Sequence, residues 1–232
     1  MKYLTPDWPA PSQIKAYTTV RSSWGLSDKP PKGAESTQEL KKLFNLPDDP
    51  IWITQTHSAI AIEATPLANG TEADASFTQQ HNHVCVVLTA DCLPIMICNR
   101  EGTFVAAIHA GWRGLANGII EETIKHAPSP FETLLVWLGP AIGPNQFEVG
   151  KDVYDAFTEH HPEAAFAFKP VKPGKWLADL YQLARMRLNL LGVTAITGGQ
   201  YCTYTQEDLF YSYRRDQAKA GRMASVIWIA SC

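Results

Sequence analysis

Hydrophobic positions along the chain fall into short apolar runs separated by amphipathic segments. Runs rich in β-branched residues predict strands, and spacings of three and four residues between apolar positions predict helices. The predicted strands span residues 14–20, 51–54, 60–64, 84–89, 95–98, 105–108, 134–138 and 226–229. The predicted helices span residues 115–126, 152–160 and 179–191, with one more that begins at a capping box formed by Ser36 and Glu39.

The spacing of these elements predicts the fold class. Strands and helices interleave, but several neighbouring strands are joined by turns too short for a parallel crossover, which requires some antiparallel pairing. We therefore expect an α+β fold, a three-layer α/β/α domain with mixed β-sheets rather than a doubly wound parallel sheet. Residues 27–33 are predicted to form a loop. The sequence contains no internal repeat and no linker that would divide the chain into domains. Residues 1–232 are thus expected to form a single domain.

Composition narrows the possible partners. A chain of 232 residues with 45% hydrophobic content can bury a sizeable core. The net charge of −3 comes without a basic block, which argues against nucleic acid, and no apolar stretch is long enough to span a membrane. Residues 1–7 lack the apolar core of a signal peptide, and the five scattered cysteines suggest no disulfide framework. The expected location is therefore the reducing cytoplasm. The sequence carries no signal for an oligomeric state.

Three residues form a candidate metal site: His57, Cys92 and His109. Cys92 and His109 each follow an apolar, strand-like run and open into a turn of small residues, where catalytic groups tend to lie. Two imidazoles and one thiolate suit zinc, or copper in a different geometry. Three protein ligands leave a fourth position open, as in catalytic zinc sites.

The remaining histidines and cysteines are interpreted structurally. His81 and His83 lie in a polar stretch typical of a solvated turn, and Cys85 and Cys98 lie inside apolar runs typical of buried strands. Three further histidines, His126, His160 and His161, are expected at helix ends. Cys202 is a candidate pocket residue, although burial is the expected role.

Four motifs of the chain resemble those of a known family. They are residues 89–95 (TADCLPI), residues 109–114 (HAGWRG), residues 139–144 (GPAIGP) with 147–149 (FEV), and residues 211–216 (YSYRRD) with 221–224 (GRMA). In this order they resemble the YfiH-type family, also called the laccase-domain or multicopper polyphenol oxidase family. The resemblance covers nearly the whole chain, most securely from residue 52 onward.

The resemblance implies a fold, a metal and an activity. It implies a similar three-layer fold and a Zn²⁺ ion bound by His57, Cys92 and His109, which are then also the catalytic residues. The implied activity is phosphorolysis of purine nucleosides such as adenosine, inosine and methylthioadenosine, in some members with adenosine deamination. The implied partners are therefore a purine nucleoside and phosphate. An older interpretation of the family is a copper-dependent polyphenol oxidase, which makes Cu²⁺ the alternative metal.

The chain departs from the family pattern at two places. Ser58 follows the first histidine where the family usually has glycine. In the N-terminal region, an Asn-Leu-Gly segment of the family is not recognisable between residues 19 and 38. The second departure bears on substrate preference and leaves the three metal ligands untouched.

Several residues near the motifs are candidates for substrate contacts. Arg113, Arg214 and Arg215 are candidate phosphate ligands, because guanidinium groups form bidentate contacts with phosphate oxygens. Arg21 is a weaker candidate, because it lies in the N-terminal region where the Asn-Leu-Gly segment of the family is not recognisable. Asp91 is a candidate to orient a neighbouring group around the metal, since metal ligands are often held by carboxylates.

A purine base would also require a stacking partner. Trp112, Phe210 and Tyr213 are candidates, with core packing expected for at least two of them. Zinc lowers the pKa of a bound water to about 7, and such a water can attack C6 of adenosine in deamination. The same metal-bound water could instead act as a base, or it could orient a phosphate nucleophile near C1′ of the ribose.

Three alternatives to nucleoside chemistry stay open. A multicopper oxidase needs a histidine-rich ligand set, and this chain has seven histidines with one His-x-His pair, at His81 and His83. A metal-free hydrolase would use Cys92 as nucleophile and His109 as base. A metal-binding interaction module would bind zinc and turn over no nucleoside.

Overall fold

The computed structural model describes residues 2–23 and 34–231, and this part of the chain contains fourteen strands and six α-helices. The strands are β1 (Tyr3–Leu4), β2 (Ile14–Thr19), β3 (Pro50–Ile51), β4 (Ala61–Glu63), β5 (Ala75–Thr78), β6 (Val84–Thr89), β7 (Leu93–Asn99), β8 (Val105–Ala110), β9 (Leu134–Leu138), β10 (Glu148–Gly150), β11 (Phe168–Lys172), β12 (Lys175–Ala178), β13 (Ala195–Gly198) and β14 (Met223–Ile229). The helices are α1 (Ala34–Phe44), α2 (Trp112–Ala116), α3 (Ile119–Ile124), α4 (Lys151–Thr158), α5 (Leu180–Leu190) and α6 (Tyr213–Asp216).

Two of the three sheets mix parallel and antiparallel strands. The five-stranded sheet has the order β1-β2-β14-β6-β3, in which β3 runs parallel to β6. The six-stranded sheet has the order β13-β9-β7-β8-β5-β4, in which the two outer pairs are parallel. A small antiparallel sheet has the order β10-β12-β11. The prediction of mixed sheets with antiparallel pairing across short turns is therefore confirmed.

The two larger sheets pack face to face. Along β6, Val84 and Val86 belong to one hydrophobic cluster, while Cys85 and Val87 belong to another that also contains Met96 of the six-stranded sheet. This alternation follows from the two-residue repeat of a strand, which sends neighbouring side chains to opposite faces. The inner cluster fills the space between the sheets and includes Cys85 and Cys98, both fully buried as predicted.

Helices cover the two outer faces of this pair of sheets. Apolar side chains of α2, α3, α4 and α5 share a cluster with the outer face of the six-stranded sheet. Leu40 and Phe44 of α1 pack with the outer face of the five-stranded sheet. The α+β class with mixed sheets is confirmed, and the β layer between the helices consists of two stacked sheets. The prediction that residues 1–232 form one domain stays a prediction.

Two helix predictions differ from the structure. The helix predicted over residues 115–126 is divided into α2 and α3, because Gly118 adopts a left-handed conformation with a φ of +91°. Helix α1 begins at Ala34, so Ser36 lies inside the helix and does not cap it. The capping-box prediction is therefore wrong. The loop predicted at residues 27–33 lies outside the described residues.

Several strands were absent from the sequence-based prediction. They are β1, β5, β13 and the three strands of the small sheet. Residues of β11 and β12 are mostly exposed and include several lysines, so they lack the apolar signal of a core strand. In residues 2–23 and 34–231, no helix has the length and apolar character needed to cross a bilayer.

Candidate metal centre and active site

The fold brings His57, Cys92 and His109 together. Cys92 lies in the turn from β6 to β7, and His109 is close to the end of β8. Strands β7 and β8 are antiparallel with Pro94 opposite His109, so both motifs reach the same edge of the sheet. His57 arrives from the segment between β3 and β4. The potential ligand atoms of the three residues all lie within 4.8 Å of one another.

The three side chains differ in exposure. His109 is buried, Cys92 is half-buried and His57 is exposed. Cys92 Sγ lies 3.8 Å from His57 Nε2, and the two imidazole rings are 4.8 Å apart at a steep interplanar angle of 72°. The site is therefore anchored on its buried side and opens to solvent on the side of His57.

Asp74 holds two of the three residues in place. Its Oδ1 accepts hydrogen bonds from His109 Nδ1 at 2.7 Å and from the backbone N–H of His57 at 3.0 Å. Its Oδ2 accepts from the backbone N–H groups of Thr56 and Ser58 and from Ser58 Oγ. Because His109 uses Nδ1 for this contact, its Nε2 remains for a metal. A carboxylate behind a ligating histidine is the usual means of fixing its ring and tautomer. The sequence did not reveal Asp74.

These contacts shift the pKa values of Asp74, Cys92 and His109. Burial opposes ionisation of Asp74, but the hydrogen bonds from His109 and Ser58 outweigh burial and lower the pKa of its carboxyl group to about 2. Burial likewise opposes ionisation of Cys92, but the neighbouring imidazoles lower the pKa of the thiol. The thiolate and Asp74 raise the pKa of His109 against the effect of its burial. The thiolate favoured here is the form that binds metals.

Glycines allow the segments to approach one another closely. A Cβ atom on Gly111 would lie 2.7 Å from His57 Cδ2 and 3.2 Å from Cys92 Sγ. A Cβ atom on Gly114 would lie 2.8 Å from the backbone oxygen of Ser58. Gly111 thus leaves space for the side chains of His57 and Cys92, and Gly114 leaves space for the backbone of Ser58, which follows His57 in the chain.

The donor set fits a single metal ion. Tetrahedral zinc with nitrogen and sulfur ligands has donor atoms about 3.3–3.8 Å apart, given bond lengths of about 2.0–2.3 Å. Donor atoms within 4.8 Å of one another match this spacing after small side-chain rotations. Three protein donors leave one position for water or substrate, on the exposed side of the site.

The triad lies in the wall of a cavity of about 590 Å³. Such a volume suits a small organic ligand. The cavity is lined by Ile53, Gln55, His57, Leu88, Ala90, Asp91, Cys92, His109, Trp112, Arg113, Ile142, Phe147, Leu180, Tyr213, Arg214 and Arg222. A ligand in this cavity would meet the metal centre, several arginines and an apolar surface together.

Three arginines line the cavity: Arg113, Arg214 and Arg222. Within residues 2–23 and 34–231, no carboxylate forms an ion pair with any of them. Arg113 lies over the ring of Trp112, and Arg214 donates a hydrogen bond to the backbone oxygen of Glu148. Their charges are thus available to an anionic ligand. Arg222 was missed as a candidate, although it lies in the GRMA motif.

The structure does not bring Arg215 and Arg21 to the cavity. The guanidinium group of Arg215 donates to the backbone oxygens of Thr203, Tyr204 and Phe210 and pairs with the carboxylate of Asp216. These contacts use its donors to fold the preceding loop. Arg21 lies over the ring of Tyr211 and donates to the backbone oxygen of Glu207, away from the cavity lining.

Asp91 lines the cavity but contacts none of the three metal-site residues through its carboxylate. Its Oδ1 accepts from Thr203 Oγ1 at 2.6 Å, and its Oδ2 accepts from Ser212 Oγ at 3.0 Å and the backbone N–H of Arg214 at 2.6 Å. Of the two aspartates, Asp74 is the one whose carboxylate contacts His109. The prediction that Asp91 orients a group around the metal stays a prediction, and the groups that its carboxylate contacts lie on Thr203, Ser212 and Arg214.

The aromatic candidates are divided between the cavity and the core. Trp112 and Tyr213 line the cavity, whereas Phe210 is fully buried in the core beside the five-stranded sheet. Phe147 of the FEV motif also lines the cavity, under the guanidinium of Arg214. Cys202 lines a separate cavity of about 360 Å³, where its Sγ accepts a hydrogen bond from the backbone N–H of Gly143.

The described residues thus form an α+β fold of two stacked sheets, with an open His-Cys-His group that could hold one metal ion beside arginines that have no carboxylate partner among them. The family follows from the sequence as a whole. Residues 12–230 match the family model described as multi-copper polyphenol oxidoreductase laccase, and the chain belongs to this family.

Curated relatives share nearly the full length of the chain. A purine nucleoside phosphorylase of Pseudomonas aeruginosa is 45% identical over 241 residues, covering 98% of both chains. The purine nucleoside phosphorylase YfiH of Escherichia coli is 44% identical over 245 residues, covering 98% of this chain and 99% of the relative. The resemblance to the YfiH-type family is thereby confirmed, and these relatives support an enzymatic role.

Solved structures share the fold. A crystal structure of a Neisseria meningitidis protein superposes with a TM-score of 0.90 at 41% identity, and each chain is covered completely. The structure of YlmD from Geobacillus stearothermophilus gives a TM-score of 0.84 at 24% identity, covering 100% of this chain and 97% of that one. The fold described above is therefore the fold of this family.

Proposed function

We propose that this protein is a zinc-dependent purine nucleoside phosphorylase that acts on adenosine, inosine and methylthioadenosine, with adenosine deamination as a second activity of the same site. One observation carries the proposal: the His-Cys-His group opens into a cavity whose arginines have no carboxylate partners among the described residues. The names of the relatives, purine nucleoside phosphorylases at 44–45% identity, support the same activity.

His57, Cys92 and His109 would hold the metal, and Asp74 would keep two of them in position. When bound, zinc supplies Lewis acidity and lowers the pKa of a coordinated water. The chemistry of the donors supports zinc, because a thiolate with two imidazoles is a common zinc ligand set.

The arginines of the cavity would bind the second substrate, inorganic phosphate. Arg113 and Arg214 would bind inorganic phosphate through charge-assisted hydrogen bonds, with Arg222 as a third cation on the cavity wall. In phosphorolysis, a phosphate oxygen forms a bond to C1′ of the ribose while the C1′–N9 bond breaks. The products are the free base, which takes up a proton, and ribose 1-phosphate.

The apolar part of the cavity suits the nucleoside base. Trp112, Phe147 and Tyr213 offer aromatic surface close to the arginines. Aromatic side chains stabilise a planar base by stacking and exclude water from the reacting bond. The cavity therefore combines an apolar wall for the base with a cationic wall for phosphate.

A metal-free thiol hydrolase is the second candidate, and one observation favours it. Asp74, His109 and Cys92 follow one another in the order of a carboxylate, an imidazole and a thiol with a lowered pKa. In this arrangement His57 is neither the nucleophile nor the base, although its imidazole also lowers the pKa of the Cys92 thiol. Loss of both zinc and activity in His57→Ala would thus favour the metal, whereas retention of activity would favour the hydrolase.

A multicopper oxidase is less well supported than a zinc enzyme by the potential metal ligands of the described residues. Among the residues that the structure describes, one group of histidine, cysteine and acidic side chains can hold a metal, and it supplies three ligands. This arrangement supports a mononuclear site, which could also hold copper. Oxygen consumption with a phenolic substrate and copper-loaded protein tests that alternative directly.

The test of the proposal is the release of hypoxanthine from inosine by zinc-reconstituted protein, with and without phosphate. Release that requires both zinc and phosphate, and is lost in Cys92→Ala, is the expected result. No release at any phosphate concentration, in protein shown to contain zinc, would overturn the proposal. With adenosine, production of inosine reports deamination, and production of adenine reports phosphorolysis.

A thiol-directed reagent separates the metal from the hydrolase mechanism. Alkylation of the apo-protein should prevent its reactivation by zinc, and prior loading with zinc should protect Cys92, because the metal occupies the thiolate. Activity in chelator-treated protein that alkylation abolishes would instead favour the thiol hydrolase.

A further inference from the structure

We propose that Asp91 is a positioning residue that fixes Arg214 relative to the metal ligand Cys92, so that phosphate binding depends on it and metal binding does not. The inference rests on the proposed function for the identity of the anion. It assigns Asp91 to the arginine side of the cavity.

The contacts of Asp91 carry the inference. Asp91 as a residue is 9% exposed, and its carboxylate accepts three hydrogen bonds, from Thr203, Ser212 and Arg214. All three donors lie in residues 203–216, a segment that ends with helix α6 and carries Arg214. Asp91 itself immediately precedes Cys92 in the chain. A single side chain therefore joins the metal-ligand turn to the arginine-bearing segment.

The contact with Arg214 is made by its backbone. Asp91 Oδ2 accepts from the N–H of Arg214, and no ion pair joins this carboxylate to the guanidinium. The guanidinium instead extends along the cavity wall, where it lies over Phe147 and donates to the backbone oxygen of Glu148. Asp91 thus fixes the position of Arg214 without using the donors that would bind phosphate.

The rest of the segment is held by a different residue. Arg215 donates to the backbone oxygens of Thr203, Tyr204 and Phe210, all of which lie within the segment. These contacts maintain the internal shape of the loop. Asp91 is the carboxylate that attaches this preformed loop to the turn carrying Cys92, so its removal should shift Arg214 while the loop keeps its shape.

Ser212 contacts both Asp91 and the backbone of Arg215. Its Oγ donates to Asp91 and accepts from the backbone N–H of Arg215, which caps α6. Loss of this hydroxyl should weaken the same attachment while the charge of Asp91 is retained. Ser212→Ala therefore provides an independent variant with a milder change.

The decisive variant is Asp91→Asn, assayed with phosphate as the varied substrate. The KM for phosphate should rise about tenfold to a hundredfold, because hydrogen bonds to a charged acceptor are strong and their loss misplaces Arg214, which would bind the phosphate. Zinc content and the KM for inosine should stay within a few-fold of the wild type. Asp155→Asn on α4 removes the same charge away from the cavity and serves as the matched control.

A double-mutant cycle separates positioning from a general structural role. Arg214→Gln should also raise the KM for phosphate, and adding Asp91→Asn to it should produce little further increase, since both changes affect one interaction. Additive effects, or equal increases in the KM values of phosphate and inosine, would overturn the proposal. If Asp91→Asn does not fold, Ser212→Ala is measured in its place, with a smaller rise expected.

Phosphate binding provides a readout that does not need turnover. Inorganic phosphate should raise the melting temperature of zinc-loaded wild-type protein and lose most of this effect in Asp91→Asn, because a ligand stabilises only the state that binds it. Phosphate binding without phosphorolysis would refute the proposed function and leave this inference intact. An unchanged phosphate effect in Asp91→Asn would refute the inference whatever the activity.

Discussion

Two buried aspartates divide the site into a metal side and an arginine side. Asp74 accepts its hydrogen bonds from His109 and from the turn containing His57, so both oxygens serve residues of the metal centre. Asp91 accepts from Ser212, Thr203 and the backbone of Arg214, so both oxygens serve the opposite wall. Similar side chains thus organise different halves of one cavity, and substitutions at the two should separate metal affinity from phosphate affinity.

The largest effect is expected from the three proposed metal ligands. His57→Ala, Cys92→Ala and His109→Ala should each lose zinc and lower kcat/KM about a thousandfold or more, because the metal supplies several kcal/mol of stabilisation. Zinc content by atomic spectroscopy and inosine phosphorolysis check this expectation. His109→Gln serves as a volume-preserving control for the buried residue. Normal zinc content and turnover in any one variant would remove that residue from the site.

Asp74→Asn should affect the metal side selectively. We expect the affinity for zinc to fall about tenfold to a hundredfold, as is typical when the partner of a ligating histidine is removed. Once the variant is saturated with zinc, its KM for phosphate should match the wild type, because Asp74 makes no contact with the arginine-bearing segment. Chelator competition gives the zinc affinity. An unchanged zinc affinity together with a raised KM for phosphate would reverse the assignment of the two aspartates.

Acid should weaken the metal-free protein through Asp74. Its pKa of about 2 lies below the ordinary value of 3.8, so its contribution to stability is present above pH 3.8 and is lost as the pH falls toward 2. The free energy of unfolding should lose about 2 kcal/mol over this window from this group. Urea unfolding of chelator-treated wild type and Asp74→Asn measures the difference. The same pH dependence in both proteins would contradict the contribution of Asp74.

A smaller effect is expected at Gly111, on the metal side. A Cβ atom there would press on His57 and Cys92, so Gly111→Ala should lower zinc affinity about tenfold by displacing both ligands. Its φ of −65° suits alanine, so backbone strain does not contribute. Gly150→Ala is the matched control, because Gly150 also precedes a helix with an ordinary φ of −93°. An unchanged zinc affinity in Gly111→Ala would show that the ligands can move aside.

The sequence pointed to the three residues that the structure brings together in the His-Cys-His group, but not to the aspartate that supports them. His57, Cys92 and His109 stand out because their residue types and motifs suggest metal chemistry without knowledge of contacts. Asp74 precedes the short strand β5 in a polar stretch, where nothing in the local pattern shows that its carboxylate faces His109 across the sheet. Its role depends on strand pairing between distant segments, which local sequence does not encode.

On the arginine side, too, the local sequence does not show which side chains reach the cavity. Arg214 and Arg215 are adjacent and chemically equivalent in the sequence, yet one lines the cavity and the other folds its own loop. The choice depends on which carbonyl groups lie within reach of each guanidinium. In the fold, buried strands with strong apolar patterns were predicted well, whereas the exposed, lysine-containing β11 and β12 were missed.

The most direct test of the account is to identify the second product formed from inosine. Zinc-loaded protein is incubated with inosine and inorganic phosphate, and phosphorus NMR follows the phosphate while chromatography follows hypoxanthine. If the reaction is phosphorolysis, a new phosphate-ester signal from ribose 1-phosphate should grow in step with hypoxanthine and be absent in Cys92→Ala. Hypoxanthine accompanied by free ribose, with the phosphate signal unchanged, would contradict phosphorolysis and indicate hydrolysis of the nucleoside.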